Sequence, residues 1–274
     1  MRKKEFNDDQ INEIIDLYLN HNFSLKKIGE KFEVSRTVIS RLLKEKKIEK
    51  RERTTKYIAD YTTFEKIDNP EKAYWLGFIA ADGCIYIREQ NASILIALSR
   101  KDKQHLEKFK TFMKSNVNII DYTNNTGFSA KNPSEMSKIV FNSKKMANDF
   151  YNLNIKPKKS ITMGIPNIKE EYYLPFILGY FDGDGSIFKT SQGEFGINII
   201  GSYDFITWVN EILKISSKLE QRKQETPIYH IRCGGSNKPY LILKQLYDSC
   251  ETHLERKYKL FKELETVVLN RNIK

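Results

Sequence analysis

Apolar residues recur at helical spacing in three groups within the first 47 residues. Ser24 and Ser35 stand directly before the second and third groups, and serine is a favoured N-cap residue. The pattern therefore predicts three short helices, with these apolar positions on their buried sides: Ile11, Ile14, Ile15, Leu17, Tyr18, Leu25, Ile28, Phe32, Val38, Ile39, Leu42 and Leu43.

Beyond residue 69 the order of predicted elements repeats. The pattern in the first copy predicts, in order, an apolar helix, two strands, a helix, two strands and a helix: 70–82, 84–88, 93–99, 102–115, 117–123, 137–142 and 144–153. The pattern in the second copy predicts, in order, a helix, two strands, a helix, a strand and a further helical stretch: 175–184, 185–190, 194–200, 204–217, 228–233 and 238–269. An α+β fold of two pseudo-symmetric repeats follows, preceded by the small all-α module.

Each repeat opens on a similar segment, Trp75–Gly83 in the first and Ile177–Gly185 in the second. Each segment is an apolar helical stretch that contains glycine and ends in Asp-Gly, so Asp82 and Asp184 occupy corresponding places. A duplicated helix with one carboxylate per copy predicts two acids that meet at a pseudo-twofold centre. That arrangement suits metal-assisted chemistry on duplex DNA.

The charge balance favours a polyanionic partner. The chain of 274 residues carries a formal net charge of +11 and has a sequence pI of about 9.3. Basic side chains displace the counterions condensed on nucleic acid, so double-stranded DNA is the expected partner. A merely basic protein without such a partner is the alternative that charge alone leaves open.

Cysteine use and hydropathy predict an intracellular protein that does not enter a membrane. Cys84, Cys233 and Cys250 form no CxxC pair, so neither a zinc site nor a disulfide framework is indicated. The amino terminus lacks the apolar core of a signal peptide, and no apolar stretch approaches the roughly 20 residues that span a bilayer.

The two Asp-Gly segments resemble the LAGLIDADG homing endonuclease family in its single-chain, two-motif form, over residues 64–266. The lead-in segments 64–68 and 71–75 are similar to those of free-standing members that carry a helical DNA-binding domain. The resemblance implies αββαββα repeats with a concave antiparallel sheet face that binds DNA. It also implies a monomeric endonuclease that makes a double-strand break in a long asymmetric target and promotes the mobility of its intron or gene.

The resemblance assigns roles to the motif residues. Asp82 and Asp184 are the expected catalytic acids and ligands of two or three Mg²⁺ ions. Small residues let the two helices approach closely, and they are Gly77, Ala81, Gly179 and Gly183. Lys144 and Lys238 are candidates for a basic catalytic shell near the metals, with Lys145 as a close rival to Lys144.

Three groups of residues are expected to contact DNA. The spacing of the first module resembles a helix-turn-helix, whose third helix presents Arg36, Thr37, Ser40 and Arg41 to the major groove. Strand alternation from each acid sends another set outward: Tyr86, Arg88, Gln90, Phe188, Thr190, Gln192 and Asn198. Phosphate contacts are expected from Lys158, Lys159, Arg256 and Lys257. Solvent-exposed helix and strand surfaces are the alternative for the first two groups.

The predicted organisation is a helix-turn-helix domain at 1–47, a basic linker at 48–69 and the repeats at 70–160 and 161–274. The ends of the chain lack the residues of a protein-splicing element, so we expect a free-standing protein. Two other functions remain open on the sequence: a non-cleaving DNA-binding transcriptional regulator and an intron RNA maturase.

Overall fold

The computed structural model describes residues 6–21, 23–49, 57–89, 91–126, 132–157, 162–223 and 226–272. Gln90, Lys158 and Lys159, predicted to contact DNA, lie outside these residues. The chain divides into two compact units, residues 1–56 and 57–274. Each unit has a hydrophobic core of its own.

The first unit contains three short helices, α1 (Asp8–Leu19), α2 (Leu25–Lys31) and α3 (Arg36–Glu45). Ile14, Ile28 and Ile39, one from each helix, are fully buried together. The Ser24 hydroxyl accepts a hydrogen bond from the Lys27 amide at 3.2 Å, which caps α2 as predicted. Ser35 occupies the N-cap of α3 without a side-chain cap bond.

A tight turn joins α2 to α3. The Val34 amide donates to the Gly29 carbonyl at 2.8 Å, and Glu33 between them has a φ of 54°. A residue in this left-handed region reverses the chain within a few residues. The turn brings the two helices into contact and leaves the Arg36, Thr37 and Arg41 side chains exposed on α3, with Ser40 half-buried.

The second unit contains seven α-helices and eight strands within the described residues. The helices are α4 (Pro70–Asp82), α5 (Lys103–Phe112), α6 (Lys144–Asn152), α7 (Tyr173–Asp184), α8 (Tyr203–Ile212), α9 (Asn237–Asp248) and α10 (Glu255–Asn272). The strands are β1 (Gly83–Ile87), β2 (Ala92–Ser99), β3 (Ile120–Asn124), β4 (Ser134–Asn142), β5 (Gly185–Lys189), β6 (Phe195–Gly201), β7 (Glu220–Lys223) and β8 (Thr226–Gly234).

The eight strands form two antiparallel sheets of the same topology. Their orders are β1-β2-β4-β3 and β5-β6-β8-β7, and each sheet follows directly from a motif helix, α4 or α7. The α+β class and the two αββαββα repeats are therefore confirmed. Alternating burial along β2 places Ile94 and Ile96 in the core and turns Ser93, Leu95 and Ala97 to the other face.

Two elements differ from the sequence prediction. Strand β7 was not predicted, because its segment 220–223 is polar and carries no apolar alternation. The helical stretch predicted at 238–269 is two helices, α9 and α10, separated at 249–254. The helical hydrophobic pattern continues across the break, so periodicity alone did not reveal it.

The predicted linker is shorter than its composition suggested. Residues 57–69 belong to the second unit, where Phe64 is fully buried and its ring lies 4.9 Å from that of Phe150. The Asn116 side chain accepts from the Ile58 amide at 2.6 Å, and the Asp60 amide donates to the Met113 carbonyl at 2.9 Å. The sequence predicted a linker over 48–69 because polar residues surround Phe64, the apolar residue that anchors this segment to the second unit.

Helices α4 and α7 cross at the centre of the second unit and are buried almost all round. A Cβ atom on Gly77 would overlap the Phe176 carbonyl, and one on Gly179 would overlap the Tyr74 carbonyl. The backbones therefore touch at two reciprocal points, which only glycine permits. Both helices are short, and no helix in the described parts of the chain is long and apolar enough to cross a membrane.

Substituting Gly77→Ala or Gly179→Ala should lower the free energy of unfolding by about 1–3 kcal/mol, since overpacking forces backbone shifts. Urea unfolding of the purified chain measures this loss. The matched control is Gly234→Ala, where an added Cβ meets nothing within 4 Å. Equal stability of all three variants would contradict the close crossing.

Candidate active site

The carboxyl ends of α4 and α7 lie side by side below the crossing. A Cβ atom on Gly183 would overlap the Ala81 methyl group and would lie 3.4 Å from Cγ of Asp82. Asp82 and Asp184 are the last residues of their helices, and both are half-buried. The crossing thus brings the two acids to one place.

The charges of both carboxylates shift the pKa values of two neighbouring side chains, Tyr180 and Lys257. Burial, and then the negative charges of Asp184 and Asp82, raise the pKa of Tyr180 well above its usual value. Burial lowers the pKa of Lys257 to about 8, although the charges of Asp182, Asp82 and Asp184 oppose that shift. Because the charges of both acids act on the Tyr180 hydroxyl and on the Lys257 ammonium, Asp82 and Asp184 lie near the same two groups.

Asp182 is the buried acid of the second motif and stands where the first motif has Ala80. It is only 1% exposed, and burial raises its pKa to about 6. Its carboxylate accepts from the Tyr74 hydroxyl at 2.7 Å and from the Leu254 amide at 2.6 Å. These bonds tie α4 and the start of α10 to α7, so Asp182 serves the packing of the helices.

The donor chemistry of Asp82 and Asp184 fits a hard divalent cation. Magnesium is commonly held by one or two carboxylates, with water and substrate phosphate oxygens as its other ligands. Among the residues that the structure describes, no group of three or more His, Cys, Asp and Glu side chains could hold a metal ion. A site at the helix ends therefore depends on phosphate and water oxygens to complete its ligands.

Of the residues predicted to contact DNA from the strands, Tyr86 and Phe188 lie on β1 and β5, whereas Arg88, Thr190 and Gln192 lie in the segments that follow these strands. Tyr86 and Arg88 are exposed, as are Thr190 and Gln192 in the second repeat. The Thr190 amide donates to the Glu194 carbonyl at 2.7 Å and closes the β5–β6 hairpin. Tyr86 follows the alternation that the sequence predicts, whereas β1 and β5 end before Arg88, Thr190 and Gln192.

Phe188 and Arg232 form a stacked pair that the sequence did not reveal. The Phe188 ring lies directly over Gly196, its cross-strand partner, where any Cβ would overlap it. The guanidinium of Arg232 lies over the same ring, 5.3 Å from its centre. The aromatic ring fixes the position of the cation on the outward face. The signal was available in the alternation of β8, where Arg232 is exposed between buried Ile231 and Cys233.

The outward faces of the two sheets differ in chemistry. Strand pairing places Leu95 opposite Val140 in the first sheet, and Asn198 opposite Arg232 at the corresponding position of the second. The first pair is apolar, while the second offers an amide and a guanidinium. The Asn198 Oδ1 atom is buried and accepts no hydrogen bond from the residues that the structure describes.

The two lysines predicted for the catalytic shell lie elsewhere. Lys144 Nζ donates to the Glu89 carbonyl at 2.7 Å, beyond the far end of β1 and about 20 Å along the strand from Asp82. Lys238 Nζ donates to the Ile215 carbonyl at 2.5 Å, next to the core face of the second sheet. Both lysines begin helices as predicted, but a helix start does not fix where a long side chain reaches.

The strand register offers other candidates near the helix ends. Lys138 and His230 hold corresponding places on β4 and β8, one residue from the strand row that includes Gly83 or Gly185. The Lys138 ammonium lies 4.8 Å from the centre of the Tyr122 ring, and the His230 ring bonds Glu220 at 3.0 Å. Sequence reasoning missed both because their strand pairing was unknown.

The assignment of Lys257 as a surface phosphate contact is wrong. Its side chain is 3% exposed, and its ammonium donates to backbone carbonyls at the end of α7. Arg256, its neighbour, is exposed and pairs with Asp102 at 3.3 Å. Arg256 and Lys257 are both basic and adjacent in sequence, but they lie on different sides of α10, so that Arg256 faces outward and Lys257 faces the core.

Comparison with known proteins agrees with this geometry. The family model described as a LAGLIDADG-like domain matches residues 69–153. The first repeat is therefore similar to that family. No curated protein sequence matches the chain.

Solved structures extend the likeness to both repeats. The meganuclease I-SmaMI bound to uncleaveable DNA has a TM-score of 0.51 at 13% identity, over 73% of this chain and 90% of that one. The LAGLIDADG homing endonuclease I-LtrWI bound to target DNA has a TM-score of 0.51 at 12% identity, over 78% of this chain and 92% of that one. At such identity the likeness shows the fold, which is the two-repeat fold of LAGLIDADG meganucleases.

Buried His105 should make the folded chain sensitive to acid. Burial lowers the pKa of its imidazole to about 3, while the unfolded chain takes up the proton near pH 6.5. The folded state therefore loses stability as pH falls from about 6.5 toward 3, by up to about 1.4 kcal/mol per pH unit. In His105→Gln, urea unfolding between pH 7 and 4.5 should show a smaller acid loss. An unchanged slope would contradict the buried neutral imidazole.

Proposed function

We propose that this protein is a site-specific DNA endonuclease that cuts both strands of a long asymmetric target by Mg²⁺-dependent phosphodiester hydrolysis. One observation carries the proposal: the ends of two crossing helices bring Asp82 and Asp184 together at the centre of two related sheets. Duplex DNA has the same approximate twofold symmetry, with one scissile phosphate on each strand.

The two aspartates would hold the divalent cations. Carboxylates brought together repel each other, and a cation between them relieves the repulsion while it binds phosphate oxygens. Bound magnesium supplies an activated water and stabilises the leaving oxygen. The contribution of the chain is to fix both acids on helix ends that cannot separate, since Gly77 and Gly179 lock the crossing.

The outward sheet faces would bind the two halves of the target. Arg88 and Gln90 in the first repeat, with Thr190, Gln192 and Asn198 in the second, are suited to base edges or phosphates. Tyr86 and Phe188 occupy corresponding places on β1 and β5, the first strands of the two sheets. Leu95 and Val140 face DNA without polar groups, so their half-site would be recognised through thymine methyl groups or DNA shape.

The first unit would add affinity by binding DNA beside the cleavage site. Its third helix exposes Arg36, Thr37 and Arg41, with Ser40 half-buried beside them, after a tight turn typical of helix-turn-helix modules. Lys158, Lys159 and Arg256 are further candidates for phosphate contacts. By the family resemblance, cleavage would leave short 3′ overhangs and promote the mobility of the host intron or gene.

Replacing either acid should abolish double-strand cleavage and leave DNA binding largely intact. Asp82→Asn and Asp184→Asn each keep the side-chain shape and remove one charged metal ligand. Cleavage of a plasmid that carries the target, together with gel-shift affinity, measures the two properties separately. Asp204→Asn on the exposed start of α8 is the matched control and should cut normally. Full cleavage by Asp82→Asn or Asp184→Asn would refute the assignment of that aspartate as an essential metal ligand.

Removing residues 1–53 should weaken DNA affinity far more than the single-turnover rate at saturating protein. The second unit keeps both acids and its own core, so its chemistry does not need the first unit. The double variant Arg36→Ala with Arg41→Ala should lose part of the DNA affinity that the deletion removes. Gel-shift titration of the full and shortened chains measures it, and equal affinity would show that the helical module does not bind the target.

A further inference from the structure

The tip of the β5–β6 hairpin, residues 190–194, carries Thr190 and Gln192, two of the residues proposed to contact DNA. The tip closes by bonds of its own. The Gly193 amide donates to the Thr190 carbonyl at 3.0 Å, and the Glu194 amide donates to the Thr190 hydroxyl at 3.1 Å. Such local bonds fix the shape of a turn but not its position against the rest of the protein. The contacts of the Glu194 side chain therefore decide where the tip lies.

The Glu194 carboxylate bonds the turn between β8 and α9. One of its oxygens accepts from the Ser236 hydroxyl at 2.6 Å and from the Ser236 amide at 3.1 Å. The same hydroxyl accepts from the Phe195 amide at 3.1 Å. Ser236 is only 2% exposed, and Gly235 before it has a φ of 77°, in the left-handed region that glycine favours. Three bonds therefore join the hairpin to a buried residue of another turn.

The last turn of α10 reaches the same carboxylate. The Arg271 guanidinium pairs with the other oxygen of Glu194 at 2.8 Å. The bonds from Ser236, and then the charge of Arg271, lower the pKa of Glu194 below its usual value, so the group is an anion at neutral pH. A carboxylate beside DNA repels its phosphates, and the paired guanidinium offsets that repulsion. Because exposed ion pairs stabilise little, the bonds with buried Ser236 are the main restraint on the tip.

The first repeat holds its own hairpin at the corresponding turn by other groups. The Lys144 ammonium donates to the Glu89 carbonyl at 2.7 Å, and the Ser143 amide donates to the Ala92 carbonyl at 3.1 Å. Ser143 and Ser236 are the N-cap residues of α6 and α9, so the same strand-to-helix turn contacts the hairpin in each repeat. A common need for a fixed hairpin accounts for this recurrence with different side chains.

We propose that Glu194 is a positioning residue for base recognition, which holds the hairpin tip so that Thr190 and Gln192 meet the outer base pairs of one half-site. This inference rests on the proposed function. By the rise of a strand, the tip lies about 20 Å along β5 from Asp184, so its contacts fall well away from the cleaved bonds. Glu194 touches no base in this assignment and acts through the hairpin backbone.

Glu194→Ala tests the proposal on the full chain, because it removes the carboxylate and keeps the backbone bonds of the turn. Selection of bound duplexes from a random pool, followed by sequencing, measures the base preference at each target position. The preference at the outer positions of one half-site should fall about 10-fold, because a tip that samples several positions no longer favours one base. The preferences at all other positions should stay native, as should the cleavage rate of the preferred target at saturating protein.

Three further variants sharpen the test. Glu194→Gln keeps an acceptor for Ser236 and should retain most of the native preference. Ser236→Ala removes the hydroxyl and should broaden the same target positions as Glu194→Ala. Glu211→Ala is the matched control, because Glu211 is exposed on α8 of the same repeat and its loss removes the same charge. This control should leave the preference at every position unchanged.

Native base preferences in Glu194→Ala and Ser236→Ala would overturn the proposal and leave the nuclease function standing. The proposal also fails if both variants lose affinity equally for all sequences, as a merely structural role predicts. If Glu194→Ala does not fold, the preferences of Ser236→Ala decide. A native chain that selects a site but never cuts it would refute the nuclease function, and the preferences of the variants would still decide the role of Glu194. A native chain that selects no sequence would overturn both.

Discussion

The backbone contact between α4 and α7 is the constraint on which the rest of the second unit depends. Gly77 and Gly179 each lie against a carbonyl of the opposite helix, so the helices cannot shift without a clash. This contact sets the spacing of the helix ends and therefore of Asp82 and Asp184. Because β1 and β5 begin at the next residue, it also sets where each sheet starts. One pair of glycines thus links the core, the acids and the outward faces.

The two halves share a fold but not their chemistry. The second motif carries the buried Asp182 and receives Lys257 from α10, while the first has Ala80. The outward faces differ in the same way, with Leu95 and Val140 in one and Asn198 and Arg232 in the other. A twofold scaffold with unequal faces suits a target whose two halves differ in sequence, and it lets the two acids be held by different means.

The sequence predicted those parts of the structure that depend on local pattern. The motif helices, the hairpin at Gly193 and the outward-facing Tyr86 follow from caps, turn residues and periodicity. The sequence did not predict which distant group each long lysine side chain contacts. Lys144 and Lys238 were placed near the metals by their positions at helix starts, and Lys257 was placed on the surface beside Arg256. Their ammonium groups instead bond carbonyls 23–76 residues away. Strand pairing, which no local pattern records, also hid the place of Lys138 near the helix ends.

The central claim is that two unequal halves bring one pair of acids to a single DNA site. Incubation of the native chain with Mg²⁺ and a pool of random DNA duplexes, followed by sequencing of the cut ends and of the bound, uncut duplexes, tests it most directly. The account predicts one long non-palindromic site, cut on both strands at a fixed stagger. Recovery of sequences that are bound but never cut, or of cuts at a palindrome, would contradict it.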